Sequence, residues 1–370
     1  MSGDAHVRFW ESAGVRFPRA THLPLNRLEK ILARHDIDIS RSTMCDWMAA
    51  CAQALRPLHV LMVSLVLGSK VIHTDDTPVD VLDKMLKQTR TGRFWFYSGD
   101  GDHAYDVFDY TPSRSRDGPM SFLQGWGKDM IRYLQADAFG GYDGIYAGQA
   151  GGKVVEVACM AHCRRKFHEA RNSDHARSAQ ALAYIRLLYE VENQAQELFA
   201  AQAQDENARS LSAIRLELRQ QLSVPRLEQF KAWLEAQQSF SSGTGVLPKS
   251  PMGAAITYAL NQWEALCVYC TDGDLSIDNN VSERALRRIA VGRGNWMFCG
   301  SDNGGATAAV LFSFIATCER HRVNPFEYLR DVLARIAETP ISKLPELLPG
   351  RWTALTTEAS AASGHPTTNG

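Results

Sequence analysis

Residues 70–82, KVIHTDDTPVDVL, mark the point where the pattern of the chain changes from helical to strand-like. Four more segments rich in β-branched and aromatic residues follow, with turn-forming residues between them. They are GRFWFYSGD (92–100), HAYDVFDYTP (103–112), IRYLQADAF (131–139) and KVVEVACMAH (153–162). A helix-compatible stretch, MSFLQGW (120–126), precedes the fourth segment. Five strands with an intervening helix predict a mixed α/β sheet.

The chain before this sheet is predicted to be helical, apart from a lead-in over residues 1–19 that has no sustained period. Residues 20–68 contain two short predicted helices, the second capped by Ser40 or Ser42. Such a pair is typical of a helix-turn-helix, whose second helix can enter a DNA major groove, and equally of a helical hairpin that packs on the rest of the chain. The two apolar faces comprise Leu25, Leu28, Ile31 and Leu32, and Met44, Trp47, Met48 and Leu55. The apolar run at 58–68 is shorter than the ~20 residues that span a bilayer, so it predicts a buried helix.

A helical insertion over residues 164–266 is predicted to divide the core into two parts, 69–163 and 267–337. Within it, residues 241–251 are predicted to form a loop. Residues 338–370 are predicted to form a tail that is disordered at its end. Two apolar stripes of the insertion are expected to face its core: Leu188, Val191, Ala195 and Leu198, and Leu227, Phe230, Trp233 and Leu234.

The overall composition narrows the function classes. The 370-residue chain has 40 lysines and arginines against 41 acids, which argues against a uniformly basic nucleic-acid coat and leaves local basic patches. Its eight cysteines follow no apolar leader, which indicates reduced thiols in a cytoplasmic setting. Neither the Cys267–Cys270 pair nor the Cys159, His162 and Cys163 cluster has a second half at zinc-finger spacing, so buried free thiols are predicted.

Three acids stand out by context: Asp75 and Asp137, each predicted at the end of an apolar strand, and Glu283 at the start of a helix. Converging carboxylates suit Mg²⁺ or Mn²⁺, and two such ions about 3.5–4 Å apart can drive in-line displacement at a phosphodiester. Each acid also has a simpler explanation. Since neighbouring strand residues face opposite sides, one of Asp75 and Asp76 can cap the turn before Pro78. Asp137 can be a turn residue, and Glu283 can form a helical ion pair with Arg287.

Several long motifs in order resemble the insertion-sequence-66-type DDE transposases, between about Leu23 and Leu333. They are LPLNRLEKILARHDIDISRSTMCDWM (23–48), VIHTDDTPVDVL (71–82), LQADAFGGYDGIY (134–146), ACMAHCRRKFHEA (158–170), DGDLSIDNNVSERALRRIAVGRGNWMFCGSDNGG (272–305) and NPFEYLRDVL (324–333). The resemblance implies a ribonuclease-H-like core whose acidic triad, Asp75, Asp137 and Glu283, holds two Mg²⁺ or Mn²⁺ ions. It also implies transposon-end and target DNA as partners, a homo-oligomer on DNA, and accessory proteins from the same element.

The sequence departs from this family in two places. Asp76 stands where relatives usually have glutamate, and the longer amino-terminal region of relatives, with a coiled coil and a cysteine-rich zinc module, is not matched. A shortened copy is therefore expected. This leaves two rivals to an active transposase: a truncated, non-catalytic DNA-binding remnant or inhibitor, and a related ribonuclease-H-like nuclease or resolvase.

Basic residues near the third acid and in the run HCRRK (162–166) are candidate phosphate contacts. The alternative for the first group is a solvated helix face with ion pairs. The candidates are Arg284, Arg287, Arg288 and Arg293, and Arg164, Arg165 and Lys166. Asn279 and Asn280 are predicted to cap the helix that carries Glu283. Trp296 and Phe298 are predicted to be core rather than base-stacking residues, and His73 and His162 to be structural.

Overall fold

The computed structural model describes residues 24–83, 85, 87–202, 208–238 and 245–354. The predicted lead-in at 1–19 and the end of the predicted tail, beyond residue 354, lie outside these residues. Within them, six strands form one mixed sheet in the order β3-β2-β1-β4-β5, with β6 beside β1. The strands are β1 (Val71–Asp83), β2 (Gln88–Ser98), β3 (Asp106–Thr111), β4 (Arg132–Ala136), β5 (Val154–Ala158) and β6 (Phe298–Cys299).

Two pairing directions meet at β1. Strands β1, β2 and β3 pair antiparallel, whereas β4, β5 and β6 run parallel to β1. All five predicted strands are present, and the mixed α/β prediction is confirmed. The placement of Asp75 at a strand end was wrong, because β1 continues through Pro78 to Asp83 in register with β2. In the described sheet, β1 pairs with β4 only at Val71–His73 and with β6 only at Asp80–Val81, so the edge carrying Asp75 lies between two paired stretches.

Two helices precede the sheet, α1 (Leu25–Ala33) and α2 (Arg41–Val66). Ser40 caps α2 as predicted, because its side-chain oxygen accepts a hydrogen bond from the Thr43 N–H at 3.1 Å. The second helix is not short: one 26-residue helix includes the apolar run that was predicted separately. The predicted apolar face is also wrong in its first half, where Trp47 is 49% exposed and Met48 37% exposed.

The second half of α2 is a core helix. The whole helix, Arg41–Val66, is long and apolar enough to cross a membrane by length and composition alone. However, the side chains of Leu58, Met62 and Val66 are fully buried in the same cluster as Ile72 of β1. Core helices of soluble proteins pass the same test, so this signal is weak evidence for a membrane span.

Helices cover both faces of the sheet. Since alternate strand residues point to opposite sides, neighbouring residues of β1 pack against different helices. Ile72 packs in the cluster formed by α2 and the last helices, and Val71 packs in the cluster formed by the helices after β5. The remaining helices are α3 (Asp117–Phe122), α4 (Asp143–Tyr146), α5 (Met160–Glu169), α6 (His175–Ala201), α7 (Leu211–Leu218), α8 (Val224–Gln238), α9 (Pro251–Asn261), α10 (Trp263–Cys267), α11 (Asn280–Trp296), α12 (Asp302–Arg320) and α13 (Pro325–Arg335). Single turns of 3₁₀ or π helix lie at Gly140–Tyr142, Ala170–Asn172, Arg219–Ser223 and Val268–Thr271, and a longer 3₁₀ segment at Ile341–Leu347.

Most residues of the two predicted stripes in α6 and α8 are buried. The exceptions are Leu198, which is 44% exposed near the end of α6, and Trp233, which is partly buried. The predicted loop at 241–251 is described only from residue 245, and α9 begins at Pro251.

A fully buried arginine, Arg219, forms hydrogen bonds both to helix α6 and to the segment 269–275, which precedes α11. Its Nε and Nη2 donate to the Glu192 carboxylate at 2.7 and 2.8 Å. It also donates to the backbone carbonyls of Tyr269, Asp272 and Leu275 at 2.8–2.9 Å. Because residues 269–275 lead directly to α11, this one side chain helps to place the helix that carries Glu283.

Replacing this arginine by an apolar residue of similar length tests its structural role. Arg219→Met leaves the largely buried Glu192 carboxylate and three carbonyls without their donor, so the free energy of unfolding is expected to fall by about 3–5 kcal/mol. Arg186→Met, which removes an exposed ion pair with Glu190 on the same helix, is the control and should cost less than about 1 kcal/mol. Chemical denaturation measures both, and equal losses would contradict the anchoring role.

Candidate active site

Asp75 and Asp137 are brought together by the parallel pairing of β1 and β4. His73 pairs with Gln135, and continuing this register by two residues aligns Asp75 with Asp137, which directly follows the end of β4. Adjacent strands lie about 4.8 Å apart, so the two carboxylates are neighbours. Burial of the Asp75 carboxyl group raises its pKa to about 7, and the negative charge of Asp137 is the next cause. The Asp76 N–H donates to Asp75 Oδ1 at 2.7 Å, which opposes this rise.

The Asp137 carboxylate lacks a full set of partners. Burial raises its pKa, while His162 and Arg114 lower it. Its Oδ1 atom is buried and accepts no hydrogen bond from any described residue. Its Oδ2 atom is 4.0 Å from Arg114 Nη2. A buried oxygen without a donor is costly, and a bound cation is one way to satisfy it.

Asn279 connects the third acid to the sheet. Its side-chain amide donates to the Thr74 carbonyl at 2.8 Å, and its side-chain oxygen lies 3.1 Å from His73 Nδ1 and 2.9 Å from the Ser282 hydroxyl. The prediction of side-chain capping by Asn279 and Asn280 was therefore wrong. Asn279 occupies the N-cap position of α11 but turns its amide onto β1, and Asn280 donates to Asp278. His73 has the predicted structural role, with its pKa lowered by burial.

Glu283 lies in the first turn of α11 and is held by residues of α5. Its Oε1 atom accepts a hydrogen bond from Arg165 Nη2 at 3.0 Å and lies 3.6 Å from His162 Nε2. The alternative ion pair with Arg287 is not formed. The negative charge of Glu283 still raises the pKa of Asp75, so the third acid acts electrostatically on the same site.

The fit of a metal ion differs among the three acids. In the described ranges, no three His, Cys, Asp or Glu side chains are grouped closely enough to hold a metal ion. Asp75 and Asp137 suit a hard divalent cation, since both are oxygen donors with raised pKa values and one oxygen of Asp137 lacks a partner. Glu283 is instead engaged by Arg165.

The basic candidates divide into free and engaged side chains. Arg284 and Arg287 are exposed on α11, and neither forms an ion pair within the described part of the chain. In contrast, Arg288 pairs with Glu319, and Arg293 donates to the Pro78 carbonyl at 2.5 Å. The exposed side chains Arg164, Arg165 and Lys166 lie on α5.

Sequence reasoning missed a buried charge cluster around Asp76. This carboxylate is 0% exposed and does not cap a turn, because it accepts from Arg93 Nη1 at 2.8 Å and from Arg114 Nε and Nη2 at 2.7–3.2 Å. The SRSR run at 113–116 was the available signal, a local concentration of arginine in a turn after a strand.

The predicted burial is confirmed for most of these aromatic residues and thiols. Trp296 packs against the apolar cluster that includes Phe94, but Phe298 is 42% exposed and was wrongly predicted to be core. Cys159, Cys163 and Cys270 are buried and Cys267 is partly buried; all are free thiols. Burial raises the pKa of each of these thiols, which keeps them protonated.

A mixed sheet with partly buried carboxylates on its central strand β1 and directly after β4 defines an α/β protein with an acidic site. Comparison with known families then shows that the chain belongs to the transposase IS66 family. That family's model matches residues 19–307, and the IS66 C-terminal element matches residues 313–349.

Three similar proteins from Sinorhizobium fredii carry only the description "uncharacterized protein". The chain is 35% identical to y4hP over 346 residues, 30% identical to y4jD over 346 residues and 30% identical to y4qI over 344 residues. These matches cover 89–90% of this chain but only 59–64% of the relatives. The chain therefore spans about three fifths of their length.

The raised pKa of Asp75 makes stability depend on pH. An unfolded aspartate titrates near pH 4, and Asp75 titrates in the fold at about 7, so between these values the folded state binds more protons. The free energy of unfolding of the metal-free protein is then expected to fall as pH rises from about 4 to about 7. In EDTA, the free energy of unfolding of Asp75→Asn minus that of the parent should increase between about pH 4 and about 7 and stay constant above that. Chemical denaturation over a pH series measures this difference. The exposed Asp80→Asn on the same strand is the control, and a similar trend there would attribute the effect to net charge.

Proposed function

We propose that this chain is a DNA transposase whose ribonuclease-H-like core catalyses metal-dependent phosphodiester hydrolysis and strand transfer at insertion-sequence ends. Membership of the transposase IS66 family supports the transposase class. The strand order β3-β2-β1-β4-β5, with three antiparallel strands followed by two parallel ones, supports the ribonuclease-H-like core. The observation that carries the chemistry is the pair of carboxylates aligned on β1 and after β4.

The proposed reaction has two displacements at phosphorus. In the first, a water oxygen bonds to the phosphorus at the element's end, and the bond to the 3′-oxygen breaks and leaves a 3′-hydroxyl. In the second, that 3′-oxygen bonds to a target phosphorus and displaces the target strand's 3′-oxygen, which takes up a proton. Bound Mg²⁺ or Mn²⁺, two ions in this proposal, would supply Lewis-acid stabilisation of the charged oxygens.

The residues of the chain have distinct proposed roles around this chemistry. Asp75 and Asp137 would hold the metal, with Glu283 as the third ligand. The exposed Arg284 and Arg287 would contact DNA phosphates, Arg287 from the same helix face as Glu283. The α5 residues Arg164, Arg165 and Lys166 would extend this basic surface. The proposed partners are transposon ends, target DNA, further copies of the chain and accessory proteins of the element. The proposed location is the cytoplasm.

A strand-transfer assay on precut, labelled terminal DNA of the element tests this function. With Mg²⁺ or Mn²⁺, the parent is expected to yield joined product, and Asp75→Asn and Glu283→Gln are each expected to abolish it because they remove a ligand charge. Asp80→Asn, which changes an exposed carboxylate on the same strand, is the matched control and should retain joining.

One observation favours a second candidate, a DNA-binding protein without catalysis. Among the described residues the three acids do not form a metal-holding group, and Glu283 is engaged by Arg165. That candidate predicts DNA binding that is unaffected by EDTA and no joining with either metal. Branched-DNA cleavage without joining would instead indicate a related nuclease or resolvase.

The salt dependence of DNA binding separates the free arginines from the engaged ones. Each lost phosphate contact should reduce the slope of log affinity against log salt by about 0.9. Substituting both Arg284 and Arg287 by alanine is therefore expected to flatten the slope, as measured by fluorescence anisotropy over a salt series. Arg288→Ala is the control, because this side chain already pairs with Glu319. An equal change in slope for Arg288→Ala would refute the assignment.

A further inference from the structure

Arg114 extends from the segment between β3 and α3 to the acidic site. Its Nε atom donates hydrogen bonds to both oxygens of the buried Asp76 carboxylate, and its Nη2 atom donates to one of them. Its guanidinium lies 3.8 Å from the centre of the Phe139 ring. Its Nη2 atom is also 4.0 Å from Asp137 Oδ2. The side chain is therefore fixed at one edge and on one face, beside a carboxylate of the proposed reaction centre.

The other edge of this guanidinium is free. Nη1 donates to no acceptor among the described residues, and the side chain is 38% exposed. Arginine carries five N–H donors in a planar fork, and one edge is left here for an outside acceptor. Phosphate oxygens match this fork closely, because two N–H groups can donate to them in parallel.

Arg114 differs from Arg93 in the acids that it approaches. Asp76 carries one negative charge and receives two guanidinium groups, from Arg93 and Arg114. A single arginine pair would neutralise Asp76, so the second guanidinium also acts on its other neighbours. Of the two arginines, Arg114 is the one that also approaches Asp137.

From this geometry we propose that Arg114 contacts the DNA phosphate at the reaction centre, donating from its free edge to a non-bridging oxygen of the phosphodiester held beside Asp75 and Asp137. The inference rests on the proposed function for the identity of the ligand as DNA. It assigns Arg114 a substrate-binding role that Arg93 does not share. Asp76 and Phe139 then act as positioning residues, because they hold the guanidinium before DNA arrives.

The test compares terminal DNA duplexes with a natural phosphodiester or an uncharged methylphosphonate at the cleaved position. Binding is measured by fluorescence anisotropy in EDTA, so that no catalysis is involved. The parent is expected to bind methylphosphonate DNA about tenfold more weakly, a tenfold effect being typical of one lost charged contact. Arg114→Gln should bind natural DNA more weakly and discriminate little between the two duplexes. Arg114→Lys, which keeps the charge but loses the fork, should retain part of the discrimination.

Arg93→Gln is the matched control, because it removes the other arginine that binds Asp76 and keeps Arg114. It should discriminate between the duplexes as the parent does. The proposal is overturned if Arg114→Gln discriminates as well as the parent, or if Arg93→Gln loses discrimination equally. Thermal melting checks folding, and should Arg114→Gln not fold, the comparison of Arg114→Lys with Arg93→Gln decides.

These binding measurements, together with the strand-transfer assay, distinguish this inference from the proposed function. If the parent joins no DNA with either metal but still discriminates between the duplexes through Arg114, the transposase activity fails and the phosphate contact stands. If the parent joins DNA and Arg114→Gln discriminates normally, the phosphate contact alone fails.

Discussion

The rest of the site depends on one unfavourable arrangement, the placement of two carboxylates side by side in a partly buried sheet. Parallel pairing of β1 with β4 aligns Asp75 with Asp137, and the pKa of each is raised mainly because it has lost solvent. An arrangement of this kind survives in a fold only where surrounding groups over-determine it. The Asp76 N–H donates to Asp75 and Arg114 approaches Asp137, but most of the surrounding contacts are made to the backbone of β1 and to the neighbouring charge at Asp76.

Two sets of contacts hold β1 in place, one on each of its faces. On one side, Asn279 joins the Thr74 carbonyl, His73 and the first turn of α11. On the other, Arg93 and Arg114 neutralise Asp76. Since Arg219 secures the segment that leads into α11, the long helical insertion also contributes to the geometry of the sheet. The insertion is therefore connected to the position of Glu283 by hydrogen bonds and not merely by sequence.

The sheet was predictable because β-branched and aromatic runs identify strands locally. The ordered motifs single out Asp75, Asp137 and Glu283, and the structure aligns the first two. The hydrogen-bond partners of each acid could not be predicted. Asp76 bonds to Arg114 across 38 positions, and Asn279 bonds to Thr74 across 205, and no local pattern encodes such pairings. The strand end was misplaced at Asp75 because Pro78 resembles a strand terminator, whereas β1 tolerates it where the β4 and β6 pairings leave one edge open. The length of α2 was also mispredicted, because the helix continues across Pro57. One buried stripe stabilises it there: Leu55, Leu58, Met62 and Val66.

The state of Glu283 follows from the same electrostatics. With Asp75 and Asp137 already adjacent, a third carboxylate brought among them without a cation would raise the local repulsion further. Arg165 and His162 offer Glu283 a compensating environment on α5, and the glutamate occupies it. A divalent cation at the two aspartates would reverse this preference, because it replaces repulsion by attraction at that point. A Glu283 side chain drawn to that cation would leave its ion pair with Arg165, and the exposed Arg165 guanidinium would then be free to donate to a phosphate.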